Sequence, residues 1–256
     1  MSRGRGRGWS RQCLPILVAS LLLASAGTAL AASESEVTSE QIVTLRGATS
    51  AQVEIDLDFG QIRVAGGSLA GAGMPILGGE LLRAEFMDGS SHAAPTIDYE
   101  VADEVGHLVV SPSRSSSQVW PWEDQKTGCA LYLNPSVPTD LNVLLAAGQA
   151  TLALGGLSLT DLEVEVGAGD VALDFAGDWR SDLSATIALG AGDLKLRLPR
   201  DVGVKIDLEQ GLGDVTTDGG SFEDNVFVSD GFAEASVQLD LAIELGAGDV
   251  EIDFVG

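Results

Sequence analysis

Residues 162–175 read Leu-Glu-Val-Glu-Val-Gly-Ala-Gly-Asp-Val-Ala-Leu-Asp-Phe, which is a Gly-x-Gly-Asp tetrapeptide between two runs of alternating apolar and polar residues. The tetrapeptide starts at Gly167 and recurs at Gly190, Gly211 and Gly246, at separations of 23, 21 and 35 residues. A turn that returns at a nearly constant interval is typical of repeat proteins, whose units bury their apolar sides only against their neighbours. The sequence therefore predicts an all-β, solenoid-like stack with rungs of 21–23 residues.

The alternating runs on both sides of these turns predict half-buried strands, because apolar residues recur at every second position. Two further copies of the unit have lost part of the tetrapeptide. One spans residues 141–154 with Ala-Ala-Gly-Gln at its turn, and an outlying one spans residues 53–64 with Asp-Phe-Gly-Gln. The 35-residue interval indicates a unit with an insertion around residues 221–236.

The tetrapeptide suits a chain reversal, since glycine adopts positive φ without steric cost and aspartate accepts hydrogen bonds from nearby backbone N–H groups. The alternative is a cation site formed by Asp170, Asp193, Asp214 and Asp249. One aspartate per rung supplies few of the six to eight oxygen ligands that Ca²⁺ prefers, although stacked turns could pool their carboxylates. We therefore predict a structural turn and no cofactor, and retain Ca²⁺ binding by these aspartates as the alternative.

The first 31 residues resemble a secretory signal peptide. Four arginines and no acid precede an apolar run from Cys13 to Leu30, and Ala29-Leu30-Ala31 suits signal peptidase. We predict cleavage near Ala31 and an extracytoplasmic location in a bacterium. If the segment were not cleaved, it would anchor the protein in the membrane. After cleavage Cys129 is the single cysteine, so no internal disulfide forms, and we expect this side chain to be buried.

The chain is strongly acidic, with 38 Asp and Glu against 14 Lys and Arg and a formal net charge of −24. Such a charge argues against nucleic acid or an anionic lipid surface as a partner. Many acids are predicted to point outward from the strands, and Lys195, Arg197 and Lys205 offset only part of their repulsion. With two histidines and no recognisable nucleophile, phosphate-binding or metal motif, the sequence predicts a protein that is not an enzyme.

Residues 65–140 are less regular than the repeats. They contain Trp120 and Trp122 around a proline and beside a serine-rich stretch. This pair predicts either a cap on the stacked core or a platform that binds a sugar or a peptide. We divide the chain into a signal peptide (1–31), an N-terminal β module (32–140) and a β-repeat region (141–256).

Several of these segments together resemble the bacterial toast-rack domain. They are residues 81–86 (Leu-Leu-Arg-Ala-Glu-Phe), the tryptophan and Leu-Asn-Pro passage, residues 137–141 (Val-Pro-Thr-Asp-Leu) and the Gly-Ala-Gly-Asp series. That domain is related to the C-terminal domain of LiaF-like proteins of the cell-envelope stress (cell wall-active antibiotics) response. The resemblance spans residues 40–256. It implies a stacked β-structure outside the cytoplasmic membrane that acts as a scaffold or sensor in envelope stress and has no agreed enzymatic activity.

We therefore predict a non-catalytic interaction scaffold or sensor at the bacterial envelope. Its partners would be other envelope proteins or further copies that associate end to end. An adhesin-like or carbohydrate-binding surface module, or a structural protein stabilised by divalent cations, is the alternative. Because the last predicted strand, residues 250–254, ends next to the C-terminus without a cap, we expect the N-terminal module or another protomer to cover it.

Overall fold

The computed structural model describes residues 37–67, 78–87, 94–112, 128–219 and 222–256, which belong to one compact unit, Ser35–Gly256. The predicted signal peptide lies outside the described residues. In chain order the strands are β1 (Val37–Thr44), β2 (Ser50–Gly66), β3 (Glu80–Met87), β4 (Thr96–Ala102), β5 (Val105–Ser111), β6 (Gly128–Leu133), β7 (Thr139–Ala153), β8 (Leu159–Asp174), β9 (Leu183–Ala191), β10 (Leu194–Pro199), β11 (Gly203–Leu212), β12 (Val215–Thr217), β13 (Val226–Val228), β14 (Gln238–Ala247) and β15 (Val250–Val255). A single 3₁₀ turn, Phe232–Glu234, is the one helical element among these residues. The predicted all-β class is confirmed.

Each repeat is a rung made of two strand segments that meet at a corner. In β8 from Leu162 onward, the buried residues are even-numbered before the corner, as at Val164 and Val166, and odd-numbered after it, as at Val171 and Leu173. A shift of one residue turns every side chain to the opposite face of a strand. The corner supplies this shift while the chain bends, so both segments direct their apolar side chains into the same core.

Six rungs stack in parallel register, in the spatial order β2, β7, β8, β9–β10, β14–β15 and β11–β12. The two decayed copies are true rungs, because Gly60 pairs with Gly148 and Gly148 pairs with Gly169. The predicted sixth copy at residues 53–64 is thereby confirmed as the first rung of the stack.

We call the segments before the corners limb 1 and those after the corners limb 2. Limb 1 has the strand order β4-β5-β2-β7-β8-β9-β14-β11-β13, and limb 2 has the order β1-β3-β6-β2-β7-β8-β10-β15-β12. The outermost pairs β4–β5, β1–β3, β3–β6 and β11–β13 are antiparallel. Antiparallel strands therefore border the parallel stack at both ends.

The last rung of the sequence is not the last rung in space, and the expected cover of its edge was wrong. β15 lies between β10 and β12, and β14 lies between β9 and β11. The chain leaves the stack after Thr217 and returns at Gln238, which gives it enough length to insert the final rung between two earlier ones. Insertion pairs both edges of the rung, so neither the N-terminal module nor another protomer is needed to cover it.

The core runs through the whole stack and is closed opposite the corners by the loops that connect rungs. The loop after β8 carries Trp179, whose indole Nε1 donates to the Phe175 carbonyl oxygen at 2.7 Å and whose ring lies 6.1 Å from the Phe175 ring. Cys129 is buried in the same core, as expected. Burial raises the pKa of its thiol to about 12, so the side chain remains a protonated apolar group.

Candidate functional site

The corners of the six rungs form a continuous ridge, which we call the corner ridge. The fourth residue of the corner tetrapeptide, taken rung by rung in spatial order, is Gln61, Gln149, Asp170, Asp193, Asp249 and Asp214. The first three of these aspartates each accept a hydrogen bond from the backbone N–H of the aspartate on the next rung. The Asp193 N–H donates to Asp170 Oδ1 at 3.5 Å, the Asp249 N–H to Asp193 Oδ1 at 3.0 Å, and the Asp214 N–H to Asp249 Oδ1 at 2.9 Å. The aspartates thus connect neighbouring rungs rather than closing their own turns.

The hydrogen bonds of the ridge predict different effects for two aspartates of the same motif. Asp193→Ala is expected to lower the free energy of unfolding by about 1 kcal/mol, because the Asp249 N–H loses its acceptor. Asp193→Asn retains an acceptor and removes one charge from a row of like charges, so its effect should stay within about 0.5 kcal/mol. Urea denaturation followed by circular dichroism measures both.

Asp214 provides the matched control, because none of the described residues donates to its carboxylate. Asp214→Ala should therefore leave the free energy of unfolding unchanged within about 0.5 kcal/mol. Equal losses for Asp193→Ala and Asp214→Ala would contradict a role for the carboxylates in joining the rungs.

The corner ridge is the predicted location of the cation site. Its aspartates are exposed and each rung contributes one carboxylate. In the described part of the chain, no group of three or more His, Cys, Asp or Glu side chains is placed to hold a metal ion. Ca²⁺ binding by Asp170, Asp193, Asp214 and Asp249 stays a prediction.

The outer face of limb 1 is strongly acidic. Lys205 is the one lysine or arginine on the described strand segments of limb 1, and it pairs with Asp240 at 3.2 Å. The acids on these segments are Glu54, Asp56, Asp98, Glu100, Asp140, Asp161, Glu163, Glu165, Asp207, Glu209, Asp240 and Glu244. We call this surface the acidic face.

Limb 2 differs because most of the acids on its described strands are paired with cations, Glu85 being an exception. Lys195 lies 2.8 Å from the Glu251 carboxylate and 3.7 Å from that of Asp253, and Arg197 pairs with Asp174 on the neighbouring rung. The cations predicted to relieve repulsion are therefore divided unequally, with Lys195 and Arg197 on limb 2 and Lys205 on limb 1. The negative electrostatic potential of the stack is therefore strongest at the outer face of limb 1.

One carboxyl group of the acidic face, Asp140, is partly buried and lies beside a second one. Burial and the neighbouring Asp161 carboxylate raise the pKa of Asp140 above its usual value. A carboxyl group with a raised pKa in the folded protein binds its proton more tightly there, so its contribution to stability falls as the pH rises above the ordinary value of about 4. Asn142, two residues after Asp140 on β7, donates to Glu163 Oε2 at 2.8 Å.

A shallow groove of about 580 Å³ crosses the acidic face where limb 1 meets the corners of β8, β9, β14 and β11. The first glycine of each tetrapeptide lines it, so that backbone without side chains is exposed to a ligand. Glu165, Glu244 and Glu209 also line it. The groove is therefore lined by acidic side chains and by glycine backbone.

Trp120 and Trp122, the predicted partner-binding residues, lie outside the described residues. The described strands on either side of them are nevertheless informative. β5 pairs with β2 up to Ile55 and β6 pairs with β2 from Gln61 onward. The strands flanking the tryptophans therefore lie on either side of the first corner.

Two features of the surface could not be recognised from the alternating pattern. The division of charge between limbs requires that each charged residue be placed before or after its corner, and Lys195 and Arg197 both follow one. The other feature is Leu212, which is 74% exposed at a corner position that is alanine on the four preceding rungs. In the sequence this position is marked by leucine in Gly211-Leu212-Gly213-Asp214, where the other three tetrapeptides have alanine.

Comparisons with known proteins agree with this architecture. Residues 31–197, more than half of the chain, match the family model described as the N-terminal domain of toast_rack, DUF2154. Among solved structures, the chain is similar to a candidate cell adhesion protein from Clostridium sporogenes, with 25% identity and a TM-score of 0.72 over 85% of this chain and 98% of that chain. Candidate adhesins from Bacteroides fragilis and Parabacteroides merdae align at 10% identity over 82% and 85% of this chain and 95% and 96% of theirs. Their TM-scores of 0.21 and 0.20 support no argument.

No curated protein matches the sequence at significant similarity. Within the part of the chain that the structure describes, no helix has the length and apolar character needed to cross a membrane.

Proposed function

This chain belongs to the toast-rack family, and from that premise we propose that it is a non-catalytic interaction scaffold at the outer side of a bacterial cell envelope. The acidic face binds positively charged segments of other envelope components. The observation that carries the proposal is the unequal distribution of charge, because the described strands of limb 1 have a single lysine among their many acids, while most of the acids on the described strands of limb 2 are paired. Complementary charge accelerates association and selects partners more than it raises affinity.

The parallel stack is suited to this role. Its rungs repeat about every 4.8 Å, so carboxylates on successive rungs form rows with fixed spacing. Rigid presentation lowers the ordering cost of binding. Such rows recognise a partner by the spacing of its cations and require no catalytic group.

The test compares two triple variants of equal charge. The first variant, Glu163→Gln with Glu165→Gln and Glu244→Gln, removes three negative charges from the acidic face. The second, Asp174→Asn with Glu251→Gln and Asp253→Asn, removes three negative charges from limb 2. In pull-downs from solubilised envelopes at low salt, we expect the first variant to retain about tenfold less of its partners, and the second to behave like the unmodified protein. Thermal unfolding of both variants controls for folding.

Equal losses in the two variants would show that only net charge matters and would contradict the proposal, as would the absence of any retained component. Adhesion is the second candidate function, favoured by the similarity to the candidate cell adhesion protein. Binding to whole cells that survives neutralisation of limb 1 but is lost in Trp120→Ala and Trp122→Ala would favour adhesion over the scaffold.

A further inference from the structure

Among the described residues, the last rung in space has an edge that is only partly paired. β12 pairs only with β15, and β11 pairs with β13 only from Lys205 to Asp207. Beyond this short pairing, the Leu208 N–H still donates to the Asn225 carbonyl, and no described strand pairs with the outer edge from Glu209 to Thr217. Backbone N–H and C=O groups on such an edge form a template for another strand. We call this segment the open edge.

Apolar side chains are exposed beside the open edge. Leu212 is 74% exposed, Val215 is 38% exposed, and Val228 on the neighbouring β13 is 51% exposed. A soluble edge strand is usually protected by charge, proline or a covering element. Leu212, Val215 and Val228 are uncharged and exposed, so they favour contact with a partner strand, although the acids Glu209 and Asp214 lie on the same edge.

A cleft of about 720 Å³ continues from the end of β12. It lies between the end of limb 2 and β13, and its lining includes Gly219, Phe227, Val228 and Phe254. The Phe227 and Phe254 rings are 5.1 Å apart, and Gly219 lies so close to the Phe254 ring that a Cβ atom there would collide with it. Phe227 and Phe254 are only 4% and 7% exposed, so they contribute a small aromatic surface to the cleft beside the open edge, and the cleft volume leaves room for a large apolar side chain.

The charges at this end favour a basic ligand. Arg200, which lines the cleft, is already paired, since its guanidinium donates to Asp218 at 2.9 Å and to the Phe254 carbonyl at 3.0 Å. Glu209 and Asp214 on the open edge have no cationic partner among the described residues. A second copy would bring the same acids against these, whereas a strand that carries lysine or arginine would complement them.

We propose that the open edge and the adjoining cleft bind an extended, basic peptide segment by strand addition. Backbone hydrogen bonds to β12 hold the segment, one large apolar side chain enters the cleft, and lysine or arginine side chains face Glu209 and Asp214. In this mode of recognition main-chain bonds supply affinity and side-chain pockets supply specificity. The inference rests on the proposed scaffold function and names the class of segment that one of its partners presents.

The experiment uses the full chain and a fluorescein-labelled peptide, Lys-Thr-Lys-Val-Phe-Val-Lys-Thr-Lys, with fluorescence anisotropy as the measurement. Val215 is in register with the buried Val250 on β15, so Val215→Lys places a cation on the open edge at the end of the core. The change should weaken binding at least about tenfold, and thermal unfolding checks that the variant is folded. Val101→Lys is the matched control. Val101 lies on β4 at the other end of limb 1 and is 36% exposed, so this change alters net charge equally and should weaken binding less than about twofold.

Peptide controls test the mode of binding. Prolines in place of the two valines remove backbone donors, and glutamates in place of the lysines reverse the charge, so both peptides should bind at least about tenfold more weakly. Val228→Lys serves as a second variant if Val215→Lys proves unstable in thermal unfolding. The proposal is overturned if the basic peptide does not bind, if Val101→Lys weakens binding as much as Val215→Lys, or if the proline peptide binds equally well.

Self-association is a further outcome of the test. If sedimentation shows a dimer that Val215→Lys dissociates and the peptide does not, the edge serves a second copy and the proposal fails. Failure of the scaffold function would be seen separately, as a lack of envelope partners sensitive to the acidic face while the purified protein still binds the peptide.

Discussion

Gly192→Ala is expected to lower the free energy of unfolding by roughly 3–4 kcal/mol, the sum of two effects at one corner. Gly192 has a φ of +134°, a backbone conformation that alanine rarely adopts. A Cβ atom at this position would also collide with the Gly169 carbonyl oxygen of the preceding rung, because the corners stack backbone on backbone. Urea denaturation of the variant and the unmodified protein measures the loss.

Two other glycines separate the two effects. Gly190 lacks a positive φ, but a Cβ atom there would collide with the Gly167 carbonyl oxygen, so Gly190→Ala reports the close approach alone at about 1–3 kcal/mol. Gly156 has a φ of +81° with open space around it, so Gly156→Ala reports the backbone conformation alone at about 1–2 kcal/mol. If Gly156→Ala were as destabilising as Gly192→Ala, the contact between rungs would contribute nothing, and our description of the ridge would be wrong.

The features that the sequence predicted well are those with local causes. A strand with one buried face produces alternation within a few residues, and a corner that requires positive φ produces glycine at Gly169 and Gly192 whatever else the chain does. For the same reason, the sixth copy could be recognised at Asp58-Phe59-Gly60-Gln61 despite its altered residues, since its glycine still satisfies the corner.

The order of the rungs could not be predicted, because it depends on distant partners. Every rung presents the same apolar face and the same corner. Nothing in the sequence of β14 therefore favours its observed place between β9 and β11 over a place beyond β11. The chain between Thr217 and Gln238 is long enough to permit either placement. Interior placement pairs both edges of β15 and leaves the open edge on β11–β12, which is how the non-local order determines where a partner strand has access.

Trp179→Ala is expected to lower the free energy of unfolding by about 3–5 kcal/mol, the range for removal of a buried aromatic side chain. Trp179 is 8% exposed and belongs to the main core, although it lies in the loop between β8 and β9. Neither period-2 alternation nor a repeat position marked it in the sequence. Its importance follows from topology, since this loop crosses from limb 2 back to limb 1 and its indole covers the core on the side opposite the corners.

A conservative variant separates packing from hydrogen bonding at this position. Trp179→Phe keeps most of the apolar area but loses the bond from Nε1 to the Phe175 carbonyl, so it should cost about 1–2 kcal/mol. Thermal and urea unfolding of both variants give the two free energies. Equal losses would mean that the hydrogen bond, rather than coverage of the core, holds the loop. A much smaller loss for Trp179→Ala would mean that the corners alone keep the limbs together, because their rung-to-rung contacts are formed independently of this loop.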